Sequence, residues 1–263
     1  MRKAILLFVI LFGISISSWA KEIVLKGIYQ GENIYVMNPF SSTGVGYCIY
    51  EITVNGQVTT DEINSSAFEI DLTVFDFKKG DPVSIVVKHK DGCVPKIINP
   101  EALKPKSTFV VTSIDINRSS NMLTWTTVEE NGKLPFVVEQ FRWNKWVTVG
   151  TVDGTGTPKE CSYSMKVVPH SGTNRFRVKQ LDFTKKPRYS KEVNLRTMIA
   201  DVTFSPKKAK NSIDFSDETD YEIFNYFGTL VMKGREKSVN ISKLEKGDYF
   251  LNYDNKMDSF SKK

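Results

Sequence analysis

The chain has 263 residues, with 36 Lys and Arg against 30 Asp and Glu, a net charge of +6, and only 2 His. This mild positive charge gives no electrostatic case for nucleic-acid binding, and two His residues offer little for general acid–base catalysis. The length fits two or three small domains. The composition therefore favours a multidomain binding protein over an enzyme.

The first twenty residues have the pattern of an export signal. Two basic residues precede an apolar segment from Ala4 to Ile16, and Ser18-Trp19-Ala20 is a small-x-small cleavage site. A membrane anchor is the alternative, but the apolar segment is short for a bilayer span. We expect residues 1–20 to be a signal peptide and Lys21 to be the first mature residue, with no membrane insertion of the mature chain.

Residues 21–106 are predicted to form an Ig-like β-sandwich. Its predicted strands are Ile23–Gln30, Asn33–Asn38, Cys48–Val54, Gln57–Thr60, Phe68–Leu72 and Val83–His89. The first two strands are predicted to form a hairpin around Gly31, and Asn55-Gly56 is a strong signal for a second hairpin. The only helix candidate is Pro100–Leu103. The segment Glu101–Ser107 is predicted to be a stiff linker.

Residues 107–197 are predicted to form a second small β-sandwich. Its predicted strands are Met122–Thr126, Phe136–Gln140, Trp146–Gly150, Tyr163–Val167, Arg175–Leu181 and Tyr189–Leu195. Trp125 is an expected core residue. The cations Arg175, Arg177 and Lys179 alternate with apolar residues, so they share one face of a strand. A solvated outer face is favoured over a basic binding stripe.

Residues 198–263 alternate apolar and polar positions between turns, which is typical of a half-buried antiparallel sheet. Five short strands are predicted, near Ile223, Leu230–Met232, Val239, Leu251 and Phe260. The predicted core and turn positions of this module are Tyr221, Ile223, Gly228, Leu244, Gly247 and Tyr249. No segment of the chain has sustained helical periodicity, so the fold class is predicted to be all-β, with tandem antiparallel β-sandwiches and a C-terminal β-module.

Two parts of the sequence resemble known families. LTWTTVEENGKLPFVVEQ and HSGTNRFRVKQLDFTKKPRYSKEV, in residues 107–197, resemble fibronectin type III-like modules. YEIFNYFGTLVMKG, VNISKLEKGDYFLNY and SFSKK resemble the C-terminal sorting domain of the type 9 secretion system of Bacteroidota, over roughly Val202–Lys263. That family usually opens with a Tyr-Pro-Asn-Pro-like motif, whereas this chain has Phe204-Ser205-Pro206-Lys207.

The three cysteines are consistent with an oxidising compartment. Cys48 and Cys93 lie in one predicted domain and are the natural candidates for a disulfide. Sequence alone does not establish that their geometry permits the bond. Cys161 is then unpaired, and we expect it to be buried as a small apolar residue.

The segment Met37–Gly46 is the best candidate for an interaction loop, because it is long for a hairpin connection. The candidate partner-binding residues are Asn38, Pro39, Phe40, Gly44 and Gly46. An apolar anchor such as Phe40 fits a pocket on a partner. The alternative, which we slightly favour, is that Phe40 folds back over its own sandwich.

Motifs that carry chemistry are sparse. His89 and Asp91 offer two metal ligands without a third, so ordinary surface residues are expected. The glycine-rich segment 150–158 resembles a phosphate loop, but Pro158 and another strand follow it where a helix is required. No nucleophile motif is present. We predict no catalytic residue, no cofactor and no metal.

The resemblance to sorting domains implies export and leaves two roles open. The interpretation favoured from the sequence is a periplasmic component of the type 9 machinery that plugs the translocon pore. Its partners would be the outer-membrane translocon or other secretion-system proteins, with no nucleic acid. The alternative is a secreted cell-surface adhesin or matrix protein whose C-terminal domain is a cleaved export signal. A hydrolase with an unrecognised site is a third, less favoured alternative.

Overall fold

A computed structural model describes residues 21–42, 44–59 and 61–263, and it confirms the all-β fold class. The predicted signal peptide lies outside the described residues. The chain forms two compact units. The first contains the described residues up to Phe77 together with Pro82–Leu103, and the second contains Lys78–Asp81 together with Lys104–Lys263. The finer division into domains at residues 106 and 197 stays a prediction.

The first unit has two antiparallel sheets, with strand orders β1-β6-β3-β4 and β5-β2-β7. The strands are β1 (Lys21–Ile28), β2 (Ile34–Met37), β3 (Ile49–Val54), β4 (Gln57–Val58), β5 (Ala67–Ile70), β6 (Pro82–His89) and β7 (Lys96–Ile97), with 3₁₀ helices at Thr73–Phe75 and Pro100–Leu103. The predicted hairpin around Gly31 is wrong, because β1 pairs with β6 while β2 pairs with β5 and β7. Between β1 and β2 the chain turns inward, and Tyr29 joins the hydrophobic core.

The 3₁₀ helix Pro100–Leu103 closes the core of the first unit. Ala102 and Leu103 are buried among the apolar residues of the sheets, so the predicted linker is wrong in its first residues. The helix lies very close to β1. A Cβ atom on Gly27 would be 2.2 Å from the carbonyl oxygen of Leu103, so only glycine fits at that position.

The second unit begins with a pair of sheets, ordered β12-β9-β8 and β11-β10-β13-β14, with β15 also paired to β13. The strands are β8 (Val110–Asn117), β9 (Met122–Val128), β10 (Pro135–Arg142), β11 (Lys145–Asp153), β12 (Cys161–Lys166), β13 (Thr173–Leu181), β14 (Pro187–Tyr189) and β15 (Val193–Arg196). Trp125 is buried in the core, as predicted, among the rings of Phe136 and Tyr163.

The structure differs from the sequence prediction at two places in this part of the chain. No strand is predicted over the residues that form β8. The single strand predicted over Tyr189–Leu195 is two strands. The Ser190 N–H group still donates to the Val178 carbonyl at 2.9 Å, but the Val178 N–H group donates to the Ser190 hydroxyl at 2.9 Å instead of to a backbone carbonyl. The side chain of Ser190 thus takes the place of a backbone acceptor and interrupts the strand.

The C-terminal part of the second unit is a sheet ordered β16-β18-β20-β21-β17, with β19 paired to β18. The strands are β16 (Phe204–Ser205), β17 (Lys208–Ala209), β18 (Ser212–Asn225), β19 (Leu230–Asn240), β20 (Gly247–Tyr253) and β21 (Lys256–Lys262). The prediction of separate short strands at Leu230–Met232 and Val239 is wrong, because both belong to β19. The pairing of β18 with β19 is irregular between Asp214 and Thr219, where the register shifts, and regular pairing resumes on both sides of the shift.

Candidate sorting module and its polar junction

The predicted sorting-module residues fall into two groups. Tyr221, Ile223 and Tyr249 are buried in one hydrophobic core, and Leu244 packs against it. The glycines lie at strand ends: Gly228 has φ 78° and its N–H group donates to the Asn225 carbonyl at 2.9 Å, closing the β18–β19 turn. Gly247, with φ 152°, opens β20.

The opening segment of the module is anchored on this core. Phe204 is buried, and its ring contacts Tyr253 with centroids 5.3 Å apart. The Lys207 ammonium lies 4.5 Å from the centroid of the Phe204 ring and also bonds to Asp258. That hydrogen bond lowers the pKa of the Asp258 carboxyl. The sequence that replaces the usual family motif therefore makes well-packed contacts of its own.

A buried carboxylate joins this module to the sheets that precede it. Asp254, in the turn between β20 and β21, is 3% exposed. It accepts hydrogen bonds from the N–H group of Ser171 at 2.9 Å and from the Ser171 hydroxyl, and the Val202 N–H group lies 3.3 Å away. The Asn255 amide donates to the Ser171 carbonyl at 3.0 Å. The turn thus holds the loop before β13 through several hydrogen bonds.

Two ion pairs extend this contact. The Arg142 guanidinium lies 2.8 Å from Asp220, and the Lys145 ammonium lies 2.7 Å from Glu222. Arg142 also stacks on the ring of Trp143 at 4.6 Å. We call the whole set the polar junction, and its members are Arg142, Lys145, Ser171, Asp220, Glu222, Asp254 and Asn255. The sequence does not predict the polar junction, because Asp254-Asn255 indicates only a turn and no local pattern points to Ser171, 83 residues before Asp254.

The candidate interaction loop of the first unit has a structural half and an exposed half. Asn38 is fully buried; its amide donates to the Ile63 carbonyl at 2.7 Å and its oxygen accepts from the Ile49 N–H group at 2.9 Å. Pro39 accepts from the Cys48 N–H group through its carbonyl oxygen. Phe40 is 62% exposed, and its ring contacts Tyr47. Gly44 and Gly46 both adopt positive φ beyond it. Partner binding by this loop stays a prediction.

The cysteines are placed as follows. Cys48 and Cys93 form a disulfide with an S–S distance of 2.06 Å, which ties the loop to the turn after β6. Cys161 is half-buried rather than buried: it packs against the hydrophobic core around Trp125, while its sulfur lies 2.9 Å from the Thr155 hydroxyl. The position is therefore partly apolar, as the sequence suggested, but it is not fully buried.

Neither of the weak chemical motifs forms a reactive site. His89 is buried rather than exposed, with Nδ1 3.0 Å from the Lys90 carbonyl oxygen. Within the described residues, no group of three or more His, Cys, Asp or Glu side chains is placed to hold a metal ion. In the glycine-rich segment, the Gly156 N–H group donates to the buried carboxylate of Glu130 at 2.9 Å. The Gly156 N–H group is therefore already satisfied by a carboxylate of the chain itself.

Glu130 is buried and accepts several hydrogen bonds. Its carboxylate accepts hydrogen bonds from Thr127 and from the hydroxyl of Tyr163, the latter at 2.7 Å. Burial raises the pKa of Tyr163 to about 12. The phenol therefore remains a hydrogen-bond donor at neutral pH, and the network has a structural role.

Comparison with known proteins identifies one part of the chain. No curated protein matches. Solved structures match at low similarity. A tetra-tandem repeat from the extending region of a large adhesion protein is 11% identical, with 92% of this chain and 73% of that chain covered at a TM-score of 0.31. Chicken CNTN1 FN1-FN3 domains are 13% identical, with 93% and 95% covered at 0.25. Dimeric latent PorU from Porphyromonas gingivalis is 11% identical, with 92% and 29% covered at 0.23.

Because these TM-scores are low, the fold is described from the strand pairing of the chain itself and not from these structures. The sequence of the C-terminal module gives a firmer result. The family described as "Secretion system C-terminal sorting domain" matches residues 205–263, which contain β17–β21 and all of the module's buried core residues except Val202 and Phe204. Residues 205–263 of this chain are therefore a secretion system C-terminal sorting domain.

Proposed function

We propose that the protein is exported through the type 9 secretion pathway and acts at the cell surface or in the medium as a non-enzymatic binding protein. The observation that carries this proposal is the sorting domain at residues 205–263. A sorting domain marks the chain that bears it as cargo. This favours the surface-protein alternative over the periplasmic component that the sequence interpretation preferred, and the comparisons give a pore-plugging role no support.

The arrangement of the second unit supports a cargo role. The sorting domain has a hydrophobic core of its own, which shares no residue with the core around Trp125. Between the two cores lies an irregular segment at residues 197–201, in which Met198 is fully exposed. The module is therefore built as a separable part that follows the sheets expected to remain in the delivered protein.

The binding role is proposed for the part upstream of the sorting domain. The exposed half of the first unit's loop presents Phe40 and Val45, which are 62% and 74% exposed, on a frame tied down by a disulfide. Apolar side chains held outward on a rigid frame are the usual anchors of protein interfaces. Secretion-system proteins are the proposed partners of the sorting domain, and they act only during export.

The test is to follow an epitope placed directly after Lys21 in a bacterium with a working type 9 system. We expect tagged protein on the surface or in the medium, shortened by the mass of its C-terminal module, and expect it to stay inside cells when residues 205–263 are deleted. A strain that lacks the translocon is the control and should retain the full-length protein. Intact protein in the periplasm that copurifies with the translocon would contradict the proposal and restore the plug interpretation.

A further inference from the structure

The positive charge of the chain is concentrated in its middle segment. Residues 107–197 contain 14 Lys and Arg against 8 Asp and Glu, whereas the numbers are 9 against 11 in residues 21–106 and 11 against 11 in residues 198–263. The modest net charge of the whole chain therefore hides a local excess. A local excess of one sign attracts ligands of the opposite sign.

Part of the excess lies on the β13–β14 hairpin and the turn that follows it, where Lys185, Lys186, Arg188 and Lys191 accompany two acids, Asp182 and Glu192. Lys185, Lys186 and Lys191 are exposed, and none of their ammonium groups has a carboxylate within ion-pair distance among the described residues. Arg188 is held differently: its guanidinium donates to the carbonyl oxygens of Ser107 at 3.1 Å and Phe109 at 3.4 Å. Neutral carbonyls fix the position of this guanidinium without cancelling its charge.

The neighbouring face of β13 adds to this edge. Arg177 lies between two rings, 4.0 Å from the centroid of Trp146 and 4.0 Å from that of Tyr189. Arg177 and Lys179 share the single carboxylate of Glu139, so this cluster is not neutral either. We call the set the basic edge, and it comprises Arg177, Lys179, Lys185, Lys186 and Lys191, with Tyr189 beside them. Arg188 does not belong to it, because Arg188 pairs with Gln180 and points to the opposite face of the sheet. The sequence favours a solvated outer face for these cations, because one face of an antiparallel sheet is commonly solvated; the two rings beside Arg177 become visible only in the fold.

The chemistry of the basic edge selects among polyanions. Single-stranded nucleic acid binds on several free aromatic rings, but arginines lie over the Trp146 ring, and Arg177 also lies 4.0 Å from the centroid of the Tyr189 ring. An anionic membrane surface is bound best when apolar side chains accompany the cations, and here the hairpin carries one half-exposed leucine, Leu181. A linear carbohydrate that carries carboxylates needs only spaced cations and one ring against which a sugar packs.

We propose that the basic edge binds an acidic polysaccharide. The carboxylates of the polymer would pair with the unneutralised Lys185, Lys186 and Lys191, and a sugar ring would pack against Tyr189 beside Arg177. The choice of a carbohydrate over a nucleic acid also rests on the proposed export to the cell surface. The binding itself is a property of the folded chain and does not depend on how the protein is delivered.

The test uses the purified mature chain, polygalacturonate as the probe and dextran as the neutral comparison, in titrations at 50 and 200 mM salt. The variant K185Q/K186Q/K191Q removes three charges from the basic edge. The control K133Q/K159Q/K166Q removes three exposed charges from the same segment of the chain. We expect the first variant to weaken binding about tenfold or more, as the loss of three surface charge contacts implies, and the control to change it less than about twofold.

Each remaining outcome contradicts the proposal. Equal weakening by both variants would mean that binding of polygalacturonate depends on the net charge of the protein and not on the basic edge. Tighter binding to duplex DNA or to phosphatidylglycerol vesicles than to polygalacturonate would assign the basic edge to a different polyanion. Binding of dextran, or binding that salt does not weaken, would exclude a charge-based site. Circular dichroism and thermal melts establish that both triple variants are folded, and failure of export in cells would leave these results unchanged.

Discussion

Substitution of Asp254 tests whether the sorting domain is held by the polar junction. In Asp254→Ala, the N–H group and the hydroxyl of Ser171 lose their acceptor, and Ser171 is fully buried. An unsatisfied buried donor costs about 1–3 kcal/mol, so two of them reduce the free energy of unfolding by about 3 kcal/mol after the carboxylate's own burial cost is relieved. This is a large share of the stability of a small domain.

A double-mutant cycle separates the hydrogen bond from other effects. Asp254 has a positive φ of 49°, which alanine tolerates less well than aspartate, but that cost is common to Asp254→Ala alone and together with Ser171→Ala. The cycle therefore isolates the bond from the Ser171 hydroxyl to the carboxylate. For a hydrogen bond to a charged group we expect a coupling energy of about 2 kcal/mol.

The assay is urea unfolding of the mature chain, followed by tryptophan fluorescence and by limited proteolysis at the exposed segment around Met198. Asp115→Ala is the matched control, because Asp115 is an exposed acid on β8 and should change stability by less than about 0.5 kcal/mol. We expect Asp254→Ala to accelerate cleavage near Met198 as well. A loss below about 0.5 kcal/mol for Asp254→Ala, or a coupling energy near zero, would refute the reasoning that Asp254 holds the junction.

Three further predictions address the rest of the chain. Cys48→Ser, which opens a disulfide spanning 45 residues, should destabilise the first unit by about 4 kcal/mol, and reductant should lower the melting temperature of the native chain but not of this variant. Gly156→Ala should lower the free energy of unfolding by more than about 2 kcal/mol in chemical denaturation, because its Cβ would lie 2.3 Å from a backbone atom and its φ is 73°. Gly150→Ala should lower it less, because its Cβ would meet only the flexible end of a methionine side chain. Because burial raises the pKa of Tyr163 to about 12, its contribution to stability is present below about pH 10 and lost as the pH rises through about 12. Tyr163→Phe should remove that part of the alkaline loss in urea unfolding curves measured from pH 8 to 12.

Local patterns in the sequence predicted the strands well where a strand and its turn are encoded together. Asn55-Gly56 does form the turn between β3 and β4, with both residues at positive φ. Pro100–Leu103 is helical, as its sequence suggested. The pairing of strands was less predictable. β1 and β2 are neighbours in sequence, but they belong to different sheets, because the burial of Tyr29 carries the chain across the core.

The functional features that the sequence missed depend on distant contacts. The alternation of charges along β13 was visible, but only the fold brings Trp146 and Tyr189 to the two sides of Arg177. Likewise, Asp254 reads as a turn residue, and its burial depends on the loop that contains Ser171. Periodicity reports which face of a strand is apolar, whereas the pairing of a buried polar group requires knowledge of the tertiary structure.

The polar character of the junction is consistent with the proposed removal of the sorting domain after export. An apolar interface would leave an exposed hydrophobic patch on each part after the two separate, and such patches promote aggregation. Here the ion pair between Lys145 and Glu222 and the hydrogen bonds to Asp254 all join groups that water hydrates well once they are exposed. Because each part has its own hydrophobic core, separating the two parts breaks the contacts of the polar junction but leaves both folds intact. We therefore expect the chain that ends before Val202 to remain folded and monomeric in sedimentation experiments, and aggregation of that fragment would contradict this account of the junction.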